Sequence, residues 1–241
     1  MQPGPPSTTP RSIPRRKLLL LDVDGTLLRS YGGGLRAMTR AARRLFGPTF
    51  RLEEVDRNGR LDREIIGMAL ELNGVRATPQ QLDAFRDSYI EGLRTEVKST
   101  RILPGVRELL AGLRATEGVL LGCVTGNYAE AARIKLDAVR IAFDWFVANG
   151  FGDQAATRSA LVRLAVDRGA SLAGQPIPGR DVIVIGDTPR DVDAAKANGC
   201  ACLAVATGNY TVEVLEAAGP DAVLTDFTDP APLWAMLDHR D

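Results

Sequence analysis

The sequence predicts an α/β protein built on a doubly wound, mostly parallel sheet, with an α-helical domain inserted into it. Two patterns carry this prediction: short apolar runs that end abruptly in polar or glycine-containing sequence, and helical periodicity after each run or its loop. Continuous apolar runs of this kind are typical of strands covered on both faces, as in a parallel sheet. Their alternation with helices is the pattern of a doubly wound domain.

Four apolar runs are predicted to be strands. They span residues 18–21, 119–124, 182–185 and 202–205. Helical patterns follow at 129–136, 160–166 and 192–197. A polar loop therefore follows each predicted strand, and these loops lie at the same edge of the sheet. In such sheets, ligands bind beyond the carboxyl ends of the strands.

The interval from 31 to 99 breaks the alternation, since it contains helical patterns and no buried-strand run. One helical face is formed by Leu35, Met38, Ala42 and Leu45, and a second lies within 82–93. We therefore expect an α/β catalytic core formed by 18–30 and 100–241 and a helical cap formed by 31–99. The 17 residues before the core contain five prolines and no acid, which predicts a disordered basic arm at 1–17.

The composition excludes several kinds of chemistry. His239 is the single histidine of the 241 residues and lies two residues from the C-terminus, so no imidazole is available for a packed hydrolase triad or a histidine zinc site. Cys123, Cys200 and Cys202 all lie in apolar runs and are expected to be reduced core residues of a cytoplasmic protein. Carboxylates, hydroxyls, basic side chains or an oxygen-preferring metal must carry the chemistry.

The charges give no sign of a polyanionic partner. Thirty basic residues balance 30 acidic ones, so no overall field recruits nucleic acid or an anionic membrane. Apolar stretches also fall short of the ~20 residues that a membrane span requires. We expect neither a nucleic-acid partner nor a membrane partner.

Acidic side chains follow three of the predicted strands. The first run leads into Asp-x-Asp-Gly-Thr at 22–26, the second into Thr-Gly-Asn at 125–127, and the third into Gly-Asp-x-x-x-Asp at 186–191. Residues i and i+2 of an extended segment point the same way, so Asp22 and Asp24 share one small volume. Crowded carboxylates need a cation, and ligation by oxygen alone favours Mg²⁺ over zinc. A metal beside the hydroxyl of Thr125 and backbone N–H groups suits phosphoryl transfer.

These three motifs, in this order, resemble those of the haloacid dehalogenase-like hydrolase superfamily, in particular phosphoglycolate-phosphatase-like members with a Rossmann-like core and a helical cap. The resemblance implies a Mg²⁺-dependent phosphatase that acts on a small phosphorylated metabolite. Asp22 would be the nucleophile and form an aspartyl phosphate, and Asp24 would be the general acid and base. The Asp22 side chain, the Asp24 carbonyl and Asp187 would hold the metal, with Asp191 as a supporting or water-mediated partner.

The resemblance also assigns the phosphoryl oxygens to Thr125 and the backbone of Gly126 and Asn127. A lysine that stabilises nucleophile and phosphate is usual in the family, and here its position is ambiguous. Arg158, at the start of the helix at 159–166, is the preferred candidate because it follows a glycine-containing loop. Lys135 is the competing candidate, and a solvated position on its helix is the alternative for it.

Substrate specificity is expected to come from the cap. The segment 58–62 resembles a cap loop of phosphoglycolate phosphatases, in which Leu61 replaces a common threonine. Arg60 could bind a substrate carboxylate, or it could simply precede a helix for which Asp62 is the N-cap. The resemblance therefore suggests phosphoglycolate as one substrate.

Two other functions and one assembly question stay open at this stage. A phosphomutase would share the whole core, and the cap would decide by excluding water. A phospho-accepting receiver-like signalling domain also places Asp, Mg²⁺, Thr and Lys at strand ends, although it lacks an inserted cap. The chain is expected to be a monomer or a homodimer.

Overall fold

The structure is a computed structural model that describes residues 12–238. The strands are β1 (Ser12–Leu21), β2 (Leu28–Arg29), β3 (Arg101–Ile102), β4 (Glu117–Thr125), β5 (Gly150–Phe151), β6 (Val182–Gly186), β7 (Ala201–Val205) and β8 (Ala222–Leu224). The α-helices are α1 (Gly33–Phe46), α2 (Asp62–Leu72), α3 (Pro79–Glu96), α4 (Val106–Ala115), α5 (Ala129–Ala138), α6 (Arg158–Ala173), α7 (Pro189–Ala197), α8 (Val212–Ala218) and α9 (Ala231–Asp238).

Six of these strands form one sheet in the order β5-β4-β1-β6-β7-β8. Every neighbouring pair in it is parallel. The predicted fold class is confirmed, and all four apolar runs lie in strands. The two short strands β5 and β8 were not predicted, because neither contains an apolar run long enough to stand out.

The first strand shows why the runs are apolar throughout. Leu19 and Leu21 lie in the core cluster on one face of the sheet, and Leu18 and Leu20 lie in the cluster on the other face. All four side chains are fully buried. Because successive residues of a strand point to opposite faces, a strand covered on both faces needs an apolar residue at every position.

The first strand begins earlier than the sequence predicted. It starts at Ser12, so residues 12–17, which were assigned to a disordered arm, belong to β1. Lys17 pairs with Val119 in the sheet, and its ammonium group forms a buried ion pair. The run of basic residues in the sequence gives no sign that one of them is buried. The rest of the predicted arm (1–11) and His239 lie outside the described residues.

The helices α1, α2 and α3 lie between β2 and β3, within the interval predicted to be the cap. The two short strands pair antiparallel, with Leu28 opposite Ile102, so the chain enters and leaves this segment side by side. The helices enclose their own core cluster, which includes Phe85 and Tyr89. Tyr128, Ala131 and Ile134 of the α5 region belong to the same cluster, so α5 joins the cap to the sheet.

Two further sequence expectations concern the cysteines and the possibility of a membrane-spanning helix. Cys123, Cys200 and Cys202 are buried and free, as expected of reduced core residues. Among the described residues, no helix has the length and apolar character needed to cross a membrane.

A buried ion pair anchors the first strand. Lys17 Nζ lies 2.8 Å from Asp181 Oδ1, and the two side chains are 8% and 6% exposed. Removing one partner would leave an uncompensated buried charge, so we expect Asp181→Ala to lower the free energy of unfolding by about 3 kcal/mol. Urea unfolding at neutral pH would measure this change.

An exposed pair provides the matched control. Asp167 pairs with Arg163 one helical turn away, with side chains 57% and 72% exposed, and Asp167→Ala should cost less than about 1 kcal/mol. Equal losses in the two variants would contradict the assignment of the Lys17–Asp181 pair as an anchor.

Candidate active site

The candidate site is a cavity of about 560 Å³ between the carboxyl edge of the sheet and the cap. The loops after β1, β4, β6 and β7 line it from below, and residues of α1, α2 and α3 line it from the cap side. This volume lies within the range of small-molecule sites. The position is the one at which open parallel sheets bind ligands.

A buried ion network surrounds Asp22 at the end of β1. Arg158 Nη2 lies 2.7 Å from Asp22 Oδ2 and 2.6 Å from Asp191 Oδ1. The amide of Val23 donates to Asp22 Oδ1 at 2.7 Å. Burial raises the pKa of Asp22 to about 6, even though the Arg158 guanidinium lowers it. The Asp22 carboxyl group is therefore weakly solvated and is held beside a guanidinium.

The side chain of Asp24 has a separate cationic partner. Lys135 Nζ donates to Asp24 Oδ2 at 2.5 Å and to Asn127 Oδ1 at 2.6 Å. Asn127 Nδ2 and Ser30 Oγ also donate to this carboxylate, at 2.9 and 3.0 Å. Burial opposes ionisation, but the Lys135 charge and these hydrogen bonds bring the pKa of Asp24 below its ordinary value. Lys135 is buried rather than on a solvated helix face.

Glycine backbones enclose the carboxylate of Asp187 after β6. A Cβ atom at Gly25 or Gly208 would overlap with this carboxylate, and Gly25 also has a φ of 82°, which favours glycine. Thr26 Oγ1 donates to Asp187 Oδ1 at 3.3 Å. Burial raises the pKa of Asp187 well above its ordinary value, and the Asp22 and Asp191 charges raise it further.

The acidic cluster fits a hard cation. Oxygen atoms of Asp22, Asp187 and Asp191 all lie within 4.8 Å of one another, and all three residues are buried. Among the described residues, the guanidinium of Arg158 is the cation paired with Asp22 and Asp191. Three carboxyl groups therefore share one positive partner, and ionisation of all three would leave an excess of negative charge. Oxygen ligands with this excess are those that Mg²⁺ prefers. Asp191 also accepts from Thr188 at the start of α7, which leaves Asp22 and Asp187 as the less occupied carboxylates.

The loop 125–128, which follows β4, forms the side wall of the cavity. Thr125 and Asn127 are buried, and Asn127 Nδ2 donates to Thr125 Oγ1 at 2.7 Å. Gly126 packs so closely against the cap loop (residues 58–62) that a Cβ atom there would overlap with the carbonyl oxygen of Arg60. The loop therefore borders the cavity on one side and the cap on the other.

Arg60 lines the cavity from the cap. Its Nε lies 3.2 Å from Asp56 Oδ2, and its side chain is 24% exposed, so the guanidinium is half-buried with one acidic neighbour. Helix α2 begins at Asp62, with Leu61 as the residue before it. The alternative interpretation of Asp62 as the N-cap of this helix is therefore wrong: its carboxylate accepts from the Tyr128 amide instead.

The structure brings the sequence-predicted residues together at one cavity. Its lining includes Asp22, Asp24, Thr125, Gly126, Asn127, Arg158, Lys135, Asp187 and Arg60. Arg158 contacts Asp22 and Lys135 contacts Asp24, so the two candidates for the basic position occupy different places. Sequence reasoning missed Asp62, Ser30 and Gly208. The repeat of Thr-Gly-Asn-Tyr at 125–128 and 207–210 was the available signal for Gly208, since both copies follow strands of the sheet.

Comparison with known proteins identifies the class. A sequence model of the haloacid dehalogenase-like hydrolase family matches residues 16–199, more than half of the chain. The protein belongs to the haloacid dehalogenase-like hydrolase family.

Individual relatives agree with this assignment. The chain is 29% identical over 231 residues to a phosphoglycolate phosphatase of Pseudomonas syringae pv. tomato, covering 92% of this chain and 81% of the relative. A variant of CbbY from Rhodobacter sphaeroides, solved with xylulose-(1,5)bisphosphate, has a TM-score of 0.73 at 22% identity, covering 93% and 100% of the two chains. A Thermotoga maritima protein assigned as a β-phosphoglucomutase has a TM-score of 0.62 at 20% identity, covering 91% and 99%. These two structures show the shared fold.

The glycine enclosure of Asp187 can be tested through metal binding. In Gly208→Ala the new methyl group would displace the Asp187 carboxylate, so we expect Mg²⁺ affinity to fall by about 10–100-fold. Titration calorimetry with MgCl₂ would measure the change. Gly67→Ala in α2 is the matched control, because nothing lies within 4 Å of an added Cβ there. Equal Mg²⁺ affinity in both variants would rule out Asp187 as a ligand.

Proposed function

We propose that the protein is a Mg²⁺-dependent phosphatase that hydrolyses a small phosphomonoester through an aspartyl phosphate on Asp22. One observation carries the proposal: Asp22 and Asp24 line the same cavity, and each is paired with its own cation, Arg158 and Lys135. Two carboxylates in different environments can take different roles, one as nucleophile and one as acid and base.

The assignment to a class of enzyme rests on the family match and on the relatives. The expected enzyme class, a phosphoric monoester hydrolase, is confirmed by the family match and by the phosphoglycolate phosphatase relatives. These relatives act on a small phosphorylated compound by name, which supports a small phosphorylated metabolite as the substrate. The cytoplasmic location and the choice between monomer and homodimer stay predictions.

Asp22 would attack the phosphorus atom, and the bond between phosphorus and the leaving-group oxygen would break. Arg158 would orient the Asp22 carboxylate and keep it ionised despite its burial. Asp24 would give a proton to the leaving oxygen. It would then take a proton from the water that attacks the phosphoryl group and releases phosphate from Asp22.

Asp24 must be protonated to begin this sequence, although its pKa is lowered in the structure. A phosphate ester bound beside it adds negative charge, and a like charge raises the pKa of a carboxyl group. The Asp24 side chain is 35% exposed, which leaves it accessible from the cavity. Lys135 would hold this carboxyl group in place while its charge changes.

Mg²⁺ would be held by the side chains of Asp22 and Asp187 and by the backbone carbonyl of Asp24, with Asp191 supporting the arrangement. When bound, the ion neutralises the negative charge of the phosphate and helps to orient it for in-line attack. Thr125 and the backbone N–H groups of Gly126 and Asn127 would bind the phosphoryl oxygens.

Phosphoglycolate is the substrate that Arg60 and the relatives suggest. The half-buried guanidinium of Arg60 lies at the cap side of the cavity, where the leaving group of a substrate bound at Asp22 would lie. A planar guanidinium can bind a carboxylate through two hydrogen bonds. Asp56, which pairs with Arg60, would have to share the guanidinium with the substrate or release it.

A phosphomutase is the second candidate, because its core would be the same and one fold relative is assigned as a β-phosphoglucomutase. The two differ in what accepts the phosphoryl group from Asp22, which is water in a phosphatase and a sugar phosphate in a mutase. The cap also separates this chain from the receiver-like alternative, since a phospho-accepting receiver domain has no such cavity-covering insertion.

Hydrolysis of para-nitrophenyl phosphate tests the proposal. We expect turnover with MgCl₂, and a loss of at least about 1000-fold either on chelation or in Asp22→Asn, since the amide is not a nucleophile. Asp193→Asn is the matched control, because this acid lies on α7 outside the cavity lining. Activity that survives chelation or the Asp22→Asn exchange would overturn the mechanism.

The role of Arg60 can be tested with two substrates. Arg60→Ala should raise the KM for phosphoglycolate about tenfold and leave that for para-nitrophenyl phosphate nearly unchanged, because only the former carries a carboxylate. Arg63→Ala is the control, since Arg63 lies on α2 and is exposed outside the cavity lining. An unchanged KM for phosphoglycolate in Arg60→Ala would remove the basis for this substrate.

A further inference from the structure

Asp62 connects the cap to the loop 125–128 by two reciprocal hydrogen bonds. Its amide nitrogen donates to the carbonyl oxygen of Gly126 at 2.8 Å. Its carboxylate oxygen Oδ2 accepts from the amide of Tyr128 at 2.9 Å. Asp62 is buried, and it is the first residue of α2. The cap therefore holds the loop on both sides of Asn127.

The packing around these bonds is tight. Gly126 has no room for a Cβ atom beside the Arg60 carbonyl, and the Leu61 Cα would lie 3.1 Å from such an atom. The Leu61 side chain is fully buried and belongs to a core cluster of the sheet rather than to the cap cluster. The cap loop is thus seated in the core, directly behind the groups expected to bind the phosphoryl oxygens.

The Asp62 carboxylate also caps a helix of the core. Tyr128 immediately precedes α5, so the amide that donates to Asp62 lies at the N-terminus of this helix. A carboxylate there accepts from an otherwise unpaired N–H and faces the positive end of the helix dipole, although burial raises the pKa of Asp62 to about 7. Lys135 lies on the same helix and contributes to the electrostatic environment of Asp62. Asp62 thus faces both the helix that carries Lys135 and the loop that precedes it.

We propose that Asp62 is a positioning residue that couples the seating of the cap to the geometry of the loop 125–128. The inference rests on the proposed phosphatase function. With the cap seated, Asp62 fixes Gly126 and the start of α5, and so places Asn127 and Lys135 against Asp24. With the cap displaced, the Gly126 carbonyl and the Tyr128 amide lose their hydrogen bonds to Asp62. The phosphoryl site is therefore complete only beneath a seated cap.

Three variants test the coupling. Asp62→Ala should lower kcat for para-nitrophenyl phosphate by about 10–100-fold, because small misplacements of reactive groups cost rates of this size. Asp62→Asn should recover to within a few-fold of wild type, since its amide oxygen still accepts from Tyr128. Glu64→Ala is the matched control, because Glu64 accepts from the Leu61 amide at the same helix start and does not touch the loop 125–128. It should keep the wild-type kcat.

Amide hydrogen exchange gives a readout that does not depend on activity. The Tyr128 amide should exchange slowly in the wild-type protein and in Glu64→Ala, and at least tenfold faster in Asp62→Ala. Fast exchange of this amide in the wild-type protein would overturn the inference even if Asp62→Ala does not fold. Equal kcat losses in Asp62→Ala and Glu64→Ala, or no loss in either, would also overturn it.

The two proposals fail in different ways. A wild-type protein that hydrolyses no phosphomonoester with Mg²⁺ would refute the proposed function, while protection of the Tyr128 amide would still support the contact. An active enzyme whose Asp62→Ala variant keeps the full kcat would refute the coupling and leave the phosphatase function standing.

Discussion

The crowding of carboxylates at one edge of the sheet is the constraint on which the rest of the site depends. Asp22, Asp187 and Asp191 approach one another within 4.8 Å while buried, and buried like charges are unfavourable unless a cation lies among them. Arg158 satisfies part of this requirement. The remaining carboxyl oxygens suit the divalent cation that we propose, and the backbones of two glycines, not a second basic side chain, lie against Asp187.

The apolar sheet stabilises the fold enough to offset this crowding of carboxyl groups. The strands β1 and β6 are neighbours in its centre, and their residues 18–21 and 182–185 are buried on both faces, so their carboxyl ends are fixed with respect to each other by the packing of two core clusters. Asp22 and Asp187 extend directly from these ends. Burial of apolar side chains elsewhere in the strands therefore offsets the electrostatic free energy that opposes the approach of the two carboxyl groups. A site of this kind needs a rigid, fully covered sheet.

The sequence predicted the carboxylates well and their partners less well, for a physical reason. An apolar run followed by an acid places Asp22 and Asp187 at a sheet edge by strand geometry alone. The short strands β5 and β8 carry no such signal, and the basic residues before Leu18 resemble a solvated arm although Lys17 is buried against Asp181. Lys135 was the competing candidate for the basic position, and a solvated helix face stayed open for it, because periodicity in one helix does not reveal a second layer packed on its outer side. Asp62 entered the sequence analysis only as a possible N-cap of a helix, and its contact with Tyr128 depends on how the cap docks.

Helix α5 contacts both the cap and the sheet. Ala132 and Leu136 belong to the cluster beneath the sheet, whereas Ala131 and Ile134 belong to the cluster of the cap. Lys135 lies between these two apolar faces and reaches Asp24. Displacement of the cap would expose the second face to water, at a cost in apolar burial, and would remove the cover that keeps Lys135 desolvated beside its carboxylate. The Coulomb attraction of a buried ammonium group to a carboxylate is stronger than that of a hydrated one, so the strength of the Lys135–Asp24 contact itself depends on the position of the cap.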